Sequence, residues 1–382
     1  MNYIQRAVEK DIKSSMFKGK AIIVFGARQV GKTTMIENIL KKELKKNKVL
    51  CLNGDDTDIR QLFREYNEVK LRNLISGRKI LFIDEAQRIS DIGLIIKIFV
   101  DRIKEIQVIV SGSSALELSS GIQEPLTGRK YEFYLYPFSF DELSNKKGIL
   151  HEKRYLETRL IYGSYPEIVN DFDNAEKHLK LIAGSYLYKD LFILEEIKKP
   201  ICFENLLKAL ALQIGSEVNY SELARMIGIN KNTVERYIDL LEKAFIIFSL
   251  KALSRNVRNE IKKGQKIYFY DCGIRNAIIG NFSVLDSRSD KGVLWENYII
   301  SERIKFRKEN KKSYFWRTVQ QQEIDYIEVE DDIFNAYEIK WNPNKKYKLS
   351  KTFSGKYIKN NFDVINKNNY DVFLNSQSLF QE

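Results

Sequence analysis

Histidine and cysteine are nearly missing from this chain: its 382 residues hold two histidines and three cysteines. His151 and His178 stand at no metal-ligand spacing from Cys51, Cys202 or Cys272, which argues against a zinc site. Cysteines that are scattered and odd in number argue against a disulfide framework and for reduced thiols. No apolar run approaches the ~18 residues that a membrane helix needs. The start, Met-Asn-Tyr-Ile-Gln-Arg, lacks the apolar core of a signal peptide. The expectation is a cytoplasmic chain with no membrane partner. Acids are also in deficit, 51 against 63 Lys and Arg, for a net charge of +12. Such a balance arises either from source composition, here rich in Lys, Asn and Ile, or from a polyanionic partner such as nucleic acid. The length predicts two or three domains.

What the chain does have is Gly-Ala-Arg-Gln-Val-Gly-Lys-Thr-Thr at residues 26–34. This fits the phosphate-loop pattern GxxxxGK[ST], with Gly26, Gly31, Lys32 and Thr33 at the defining positions. An apolar run, Lys20 to Phe25, predicts a buried strand before it. Apolar residues at 36, 39, 40 and 44 predict a helix after it. The glycines allow a tight turn whose amides point at phosphate oxygens, and the helix start adds partial positive charge. Arg28, Gln29, Val30 and Thr34 complete the expected nucleotide loop. Lys32 is expected to reach the β- and γ-phosphates and Thr33 to bind Mg²⁺.

A second apolar run, Lys79-Ile-Leu-Phe-Ile, ends in Asp84-Glu85. It is expected beside the phosphate-loop strand, with Asp84 on Mg²⁺ and Glu85 aligning the attacking water. Strands near 21–25, 48–52, 80–84 and 107–111 alternate with helical segments, the pattern of an α/β domain with a mostly parallel sheet. After the strand at 107–111, Ser111 and Ser113 are candidate sensors of the γ-phosphate; an ordinary Ser/Gly loop is the alternative. Arg129, in Leu-Thr-Gly-Arg, is a candidate arginine finger acting in cis or from a neighbouring subunit, with a surface ion pair as the alternative.

Residues 141–215 read as helical packing elements. Residues 217–250 fit helix–turn–helix. Ser221 is expected to cap a first helix with Leu223, Ala224 and Ile227 inside, Gly228 to turn, and Asn230 to cap a second helix with Val234, Ile238 and Leu241 inside. Phe245–Lys251 and Lys266–Tyr270 are expected as wing strands. Lys231, Asn232, Thr233 and Arg236 would lie where such helices touch DNA. Packing or protein docking is the alternative, since Glu235, Asp239 and Glu242 dilute the charge.

The last third predicts a helix around Leu294–Ile300, then strands at 313–317, 323–329 and 335–341. Asp325, followed thirteen residues later by Glu338-x-Lys340, fits the D…(D/E)xK pattern of restriction-endonuclease-like enzymes. Strand periodicity puts Glu338 and Lys340 on one face. Asp325 and Glu338, with Glu296 from the helix, would hold a metal ion, and Lys340 would orient the water. The alternative is a nuclease-like fold whose polar residues form buried ion pairs. Between Trp341 and Tyr370 stand seven lysines and one acid, Asp363.

Taken in order, GARQVGKTT, LFIDEAQ, SGSSA, LTGRKYEFYLYPFSFDEL, GSYPE, the helix–turn–helix, YFYDCGIRN, WEN, EIDYI and YEIKW give the chain a resemblance, over nearly its full length, to prokaryotic AAA-type ATPases carrying a C-terminal domain of unknown function. The resemblance implies an AAA-type P-loop parallel-sheet domain (1–142), a helical and winged-helix domain (143–260) and a restriction-endonuclease-like α/β domain (261–382). It favours ATP over GTP, and no guanine-specific motif follows the sensor strand. It matches Arg6 to an arginine common near the start of these proteins, without a role.

Two readings stay open. In the first, Mg²⁺-dependent ATP hydrolysis switches a winged helix and a nuclease-like domain that bind nucleic acid or protein. In the second, ATP regulates metal-dependent cutting at Asp325, Glu338 and Lys340. Self-association is compatible with both.

Overall fold

The computed structural model describes residues 3–112, 125–186, 197, 199–254, 264–306, 311–345 and 347–375. The chain forms two compact units, the first Met1–Phe138 with Lys243–Phe245, the second Ser139–Glu242 with Ile246–Glu382.

The first unit is built on five parallel strands: β1 (Ala21–Phe25), β2 (Val49–Asn53), β3 (Ile80–Asp84), β4 (Gln107–Gly112) and β5 (Lys130–Tyr134), in the order β2-β3-β4-β1-β5. Every residue of β1, β3 and β4 is buried, which is why these three read as unbroken apolar runs: helices cover both faces of a parallel sheet. The outer strand β2 mixes buried and exposed positions, and β5 has only half-buried and exposed ones. The helices are α1 (Glu9–Ser15), α2 (Lys32–Lys45), α3 (Thr57–Arg64), α4 (Glu68–Leu74) and α5 (Ile92–Arg102). One expectation is corrected. The strand ending in Asp84 is not beside β1, because β4 pairs with both and stands between them. Strand neighbours in a parallel sheet are set by crossover packing, which leaves no local trace in sequence.

The second unit begins with short helices: α6 (Phe140–Lys147), α7 (Ile149–Arg154), α8 (Leu156–Tyr162), α9 (Pro166–Asn170) and α10 (Ala175–Leu181). Ser139 and Glu142 close a capping box on α6, with Glu142 N donating to Ser139 Oγ at 3.1 Å and Ser139 N to Glu142 Oε2 at 3.0 Å. Then come α11 (Pro200–Leu212), β6 (Glu217–Val218), α12 (Tyr220–Ile227), α13 (Lys231–Lys243), β7 (Ile247–Ala252), β8 (Gln265–Phe269), α14 (Cys272–Ile279), α15 (Lys291–Lys305), β9 (Lys312–Arg317), β10 (Glu323–Glu330), β11 (Ile333–Ile339), α16 (Lys351–Lys356), β12 (Asn360–Ile365) and α17 (Tyr370–Asn375).

Its strands form one sheet, β12-β11-β10-β9-β7-β8-β6. The β7–β8 pair is antiparallel and joins β9 through a parallel contact of β7. Asp331 and Asp332, at φ 49° and 61°, make the tight β10–β11 turn, with Glu330 opposite Ile333. A bulge between Ile324 and Ile327 brings both to one core with Leu253, Trp316, Ala336, Phe353 and Tyr357. Two motifs of the sequence interlock here. Asp271 caps α14 by accepting from Ile274 N at 3.0 Å, and also accepts from Ser164 N at 2.7 Å, so the YDCGIRN and GSYPE segments hold one another. Asn276 reinforces this by donating to the carbonyls of Leu160 and Ile161 at 2.9 and 2.8 Å.

Candidate functional site

The loop after β1 is shaped by contacts that only its sequence allows. A Cβ added at Gly26 would lie 2.2 Å from the Leu135 carbonyl oxygen, so glycine is required by the backbone passing beside it. Gly31, at φ 91° and ψ 29°, turns the chain into α2, whose first turn has no acidic residue. The positive end of that helix is therefore not neutralised by a side chain of its own. Lys32 is 5% exposed, and its Nζ donates to the carbonyls of Gly26 and Ala27, each at 2.9 Å. Val30 is buried, Arg28 is half-buried, and Gln29, Thr33 and Thr34 are exposed.

At the C-terminal ends of the same strands, Thr33 Oγ1 donates to Asp84 Oδ2 at 2.5 Å. Ser111, the last-but-one residue of β4, hydrogen-bonds Asp84 Oδ1 from the strand between. The sheet order explains this meeting: a strand inserted between β1 and β3 must end between Thr33 and Asp84. A hydroxyl and a carboxylate side by side are the hard oxygen donors that Mg²⁺ takes together with phosphate oxygens and water, so the residues fit that ion. Glu85 follows in the left-handed region, φ 47° and ψ 41°, and its carboxylate accepts from Gln87 Nε2 at 2.5 Å. A non-glycine residue held there costs on the order of 1–3 kcal/mol, a strain characteristic of functional turns.

One expected residue, Arg129, does not join this group. Ser113 lies outside the described residues. Arg129 precedes β5, whose first residue pairs with Ala21 at the start of β1. It thus sits at the sheet edge opposite the loop, roughly 15 Å away at about 3.3 Å per strand residue. There it pairs with Asp101 at 2.7 Å, both side chains more than a third exposed.

In the second unit, Asp325, Glu338 and Lys340 meet. Lys340 Nζ lies 2.8 Å from both Asp325 Oδ2 and Glu338 Oε2, and Ile339 N also donates to Asp325 Oδ2 at 2.8 Å. Glu296 Oε1 accepts from Tyr268 OH at 2.6 Å and stands 3.4 Å from Lys266 Nζ, which also reaches Glu323 Oε1 at 2.5 Å. Burial pushes the Glu296 carboxyl up to about 7, against the pull of Lys266 and with a push from Asp325. Burial, then Asp325, likewise pushes Glu338 up to about 7. For Lys340 burial acts downward, but Asp325 and Glu338 outweigh it and the net shift is upward.

The expected metal residues Glu296, Asp325 and Glu338 lie beside lysines. Among the described residues no group of three or more His, Cys, Asp or Glu is placed to hold a metal ion. The Lys340 ammonium lies between Asp325 and Glu338, and Lys266 lies against Glu296, so the cations of the cluster are the protein's own. The sequence reading missed Lys266, Tyr268 and Glu323. Lys266 and Tyr268 are two apart on β8 and share a face, a period-2 signal that was available.

The helix–turn–helix brings a smaller correction. Asn219, not Ser221, caps α12, its Oδ1 accepting from Ser221 N at 2.9 Å and Glu222 N at 3.3 Å. Asn230 Oδ1 accepts from Thr233 N at 2.7 Å and Thr233 Oγ1 at 2.8 Å, so the Thr233 hydroxyl is held in the cap. Lys231, Asn232 and Arg236 are exposed, as are Glu235 and Asp239.

Comparison with known proteins follows the same division. Residues 18–144 match an AAA domain. Residues 153–284 match a domain of unknown function (DUF8612), and residues 291–379 another (DUF4143). The first unit therefore has an AAA-type P-loop fold. An uncharacterized protein of Methanocaldococcus jannaschii is 25% identical over 318 residues, 78% of this chain and 69% of the relative. An uncharacterized protein of Haemophilus influenzae is 26% identical over 301 residues, 73% of each chain. Among solved structures, AMPPCP-bound DnaA from Aquifex aeolicus is 16% identical with a TM-score of 0.32, covering 62% of this chain and 86% of that one. Pif1 helicase from Candida albicans is 14% identical with a TM-score of 0.26, covering 48% of each. At TM-scores this low the two structures carry nothing into the functional reading. No helix among the described residues is long and apolar enough to cross a membrane.

Proposed function

We propose that the protein binds ATP with Mg²⁺ at residues 26–34 and hydrolyses it slowly, and that the nucleotide state sets how the second unit binds nucleic acid or protein. The observation that carries this is the meeting of Thr33, Asp84 and Ser111 at the C-terminal ends of β1, β3 and β4, beside Lys32. The Lys32 ammonium, now on the Gly26 and Ala27 carbonyls, would exchange them for the β- and γ-phosphate oxygens, keeping its donors satisfied. Thr33 and Asp84 would hold the Mg²⁺, which neutralises charge on those phosphates. Ser111 fixes the Asp84 carboxylate, and Glu85 orients the water for in-line attack. Arg129, at the far edge, adds no charge to the γ-phosphate in cis, so turnover without a finger from another chain is expected to be slow.

In the second unit, α12 and α13 with β6, β7 and β8 support the winged-helix reading, and exposed Lys231 and Arg236 support a polyanion partner. Binding of labelled duplex DNA at several salt concentrations, with ATP and with ADP, tests this. Affinity should fall steeply with salt and differ between nucleotides; salt-independent binding, or none, removes nucleic acid and leaves protein docking. The convergence of Asp325, Glu338 and Lys340 favours a second reading, metal-dependent cleavage of nucleic acid. Incubating single- and double-stranded DNA with Mg²⁺ or Mn²⁺ decides: cleavage lost in Asp325→Ala establishes this reading, and no cleavage ends it.

A further inference from the structure

Arg6 has no role in the chemistry above, yet it is 4% exposed and ends on two backbone carbonyls far apart in sequence. Its Nη1 donates to the Val30 oxygen at 2.8 Å and its Nη2 to the Tyr136 oxygen at 2.5 Å. Its guanidinium lies 4.6 Å from the centre of the Phe138 ring. The residue is itself fastened: Arg6 N donates to Glu9 Oε1 at 2.9 Å, and Tyr3 OH donates to the same oxygen at 2.6 Å. Glu9 is 1% exposed. A buried, bidentate guanidinium anchored at its own backbone is a rigid fork, suited to fixing what it touches.

What it touches on one side is the phosphate loop. In a trans peptide the carbonyl and the following N–H point in opposite directions. Holding the Val30 carbonyl toward Arg6 therefore turns the Gly31 N–H away from Arg6. That amide immediately precedes Lys32 and helix α2, where a phosphate loop presents its donors. A positive charge on the carbonyl also polarises the peptide, making its N–H a stronger donor. The left-handed Gly31 permits more than one orientation of this peptide, so something must select one. On the other side Arg6 holds Tyr136, in the segment that follows β5. Leu135 of that segment donates its N–H to the Phe25 carbonyl at 2.8 Å, at the root of the loop.

We propose that Arg6 is the positioning residue of the phosphate loop: it fixes the Val30–Gly31 peptide so that the Gly31 amide serves a nucleotide phosphate, and ties the loop to the segment at 135–138. The proposal rests on the ATP reading, and the test separates the two. Binding of Mg²⁺–ATP and Mg²⁺–ADP is measured by calorimetry for wild type, Lys32→Ala, Arg6→Ala and Arg6→Lys, with steady-state hydrolysis and thermal unfolding of the nucleotide-free proteins. Wild type that binds neither nucleotide sinks the ATP reading itself. If wild type binds, Arg6→Ala should raise Kd for ATP and ADP by the same factor, roughly tenfold or more for the loss of about 1.4 kcal/mol. Its kcat at saturating ATP should stay within roughly threefold, the pattern of a binding interaction used equally in ground and transition states. Arg6→Lys, which keeps one charged donor, should recover part of the affinity. Unchanged Kd in Arg6→Ala overturns the proposal. So does a fall in kcat at constant KM, or a lowered unfolding temperature with Arg6→Lys no better than Arg6→Ala at binding. Should Arg6→Ala fail to fold, wild-type ADP affinity in Arg6→Lys overturns it equally.

Discussion

Glu296→Gln should stabilise the second unit in mildly alkaline solution, and the reason lies in where the structure puts that carboxyl. Glu296 is buried, faces the Asp325 charge, and is pushed from its ordinary 4.5 up to about 7. The folded state therefore binds this proton more tightly than the unfolded chain. The linkage has a definite sign: ionised Glu296 destabilises the fold above pH 7, and the penalty is relieved as pH falls from about 7 to 4.5. At about 1.36 kcal/mol per unit the penalty is ~3 kcal/mol at full strength, shared with Glu338 because the two titrate as a coupled system. Glutamine keeps an acceptor for the Tyr268 hydroxyl and carries no charge, and Lys266 retains Glu323. Urea unfolding followed by tryptophan emission reads this unit alone, since Trp295, Trp316 and Trp341 all belong to it. The variant should exceed wild type by about 2–3 kcal/mol at pH 8 and match it within about 1 kcal/mol at pH 5. Wild type should gain stability on acidification over that range. A variant less stable than wild type at pH 8, or parallel pH profiles, would refute the reasoning and make Glu296 a net stabilising partner of Lys266.

Other consequences can be checked directly. Gly26→Ala should abolish nucleotide binding, because its Cβ would strike the Leu135 carbonyl at 2.2 Å and the loop must move; wild-type affinity in a filter-binding assay contradicts this. Arg129→Ala removes an exposed pair with Asp101, so ATPase rate should stay within roughly fivefold, the factor for about 1 kcal/mol. A loss of roughly 10³-fold would instead reveal a finger acting on a neighbouring subunit. Asn219→Ala should cost the second unit about 1 kcal/mol in urea unfolding and Ser221→Ala less than half as much; the reverse order would return the cap to Ser221.

Much of the first unit was legible because its signals are local. Lys20–Phe25 and Lys79–Asp84 read as buried strands since parallel strands covered on both faces must be apolar throughout. Strand order was not legible: that β4 separates β1 from β3 depends on crossovers, and with it the contact of Ser111 with Asp84. In the second unit, Gly228, Asn230 and the buried Val234, Ile238 and Leu241 marked the turn and second helix by spacing alone. The first cap was misplaced by two residues because Asn219 and Ser221 are both good capping residues and only geometry chooses between them. Asp325, Glu338 and Lys340 were found by their pattern. Lys266 and Tyr268 were not, because they reach Glu296 through a tertiary contact. Arg6 carried no local signal, since its partners are carbonyls at 30 and 136.

The central claim is ATP hydrolysis at residues 26–34, and its most direct test is phosphate release from ATP by wild type, Lys32→Ala and Asp84→Asn, each shown folded by far-ultraviolet circular dichroism. The account predicts slow, Mg²⁺-dependent release by wild type that both substitutions abolish. Release that persists in Lys32→Ala, or a wild type that neither binds nor hydrolyses ATP, would contradict it.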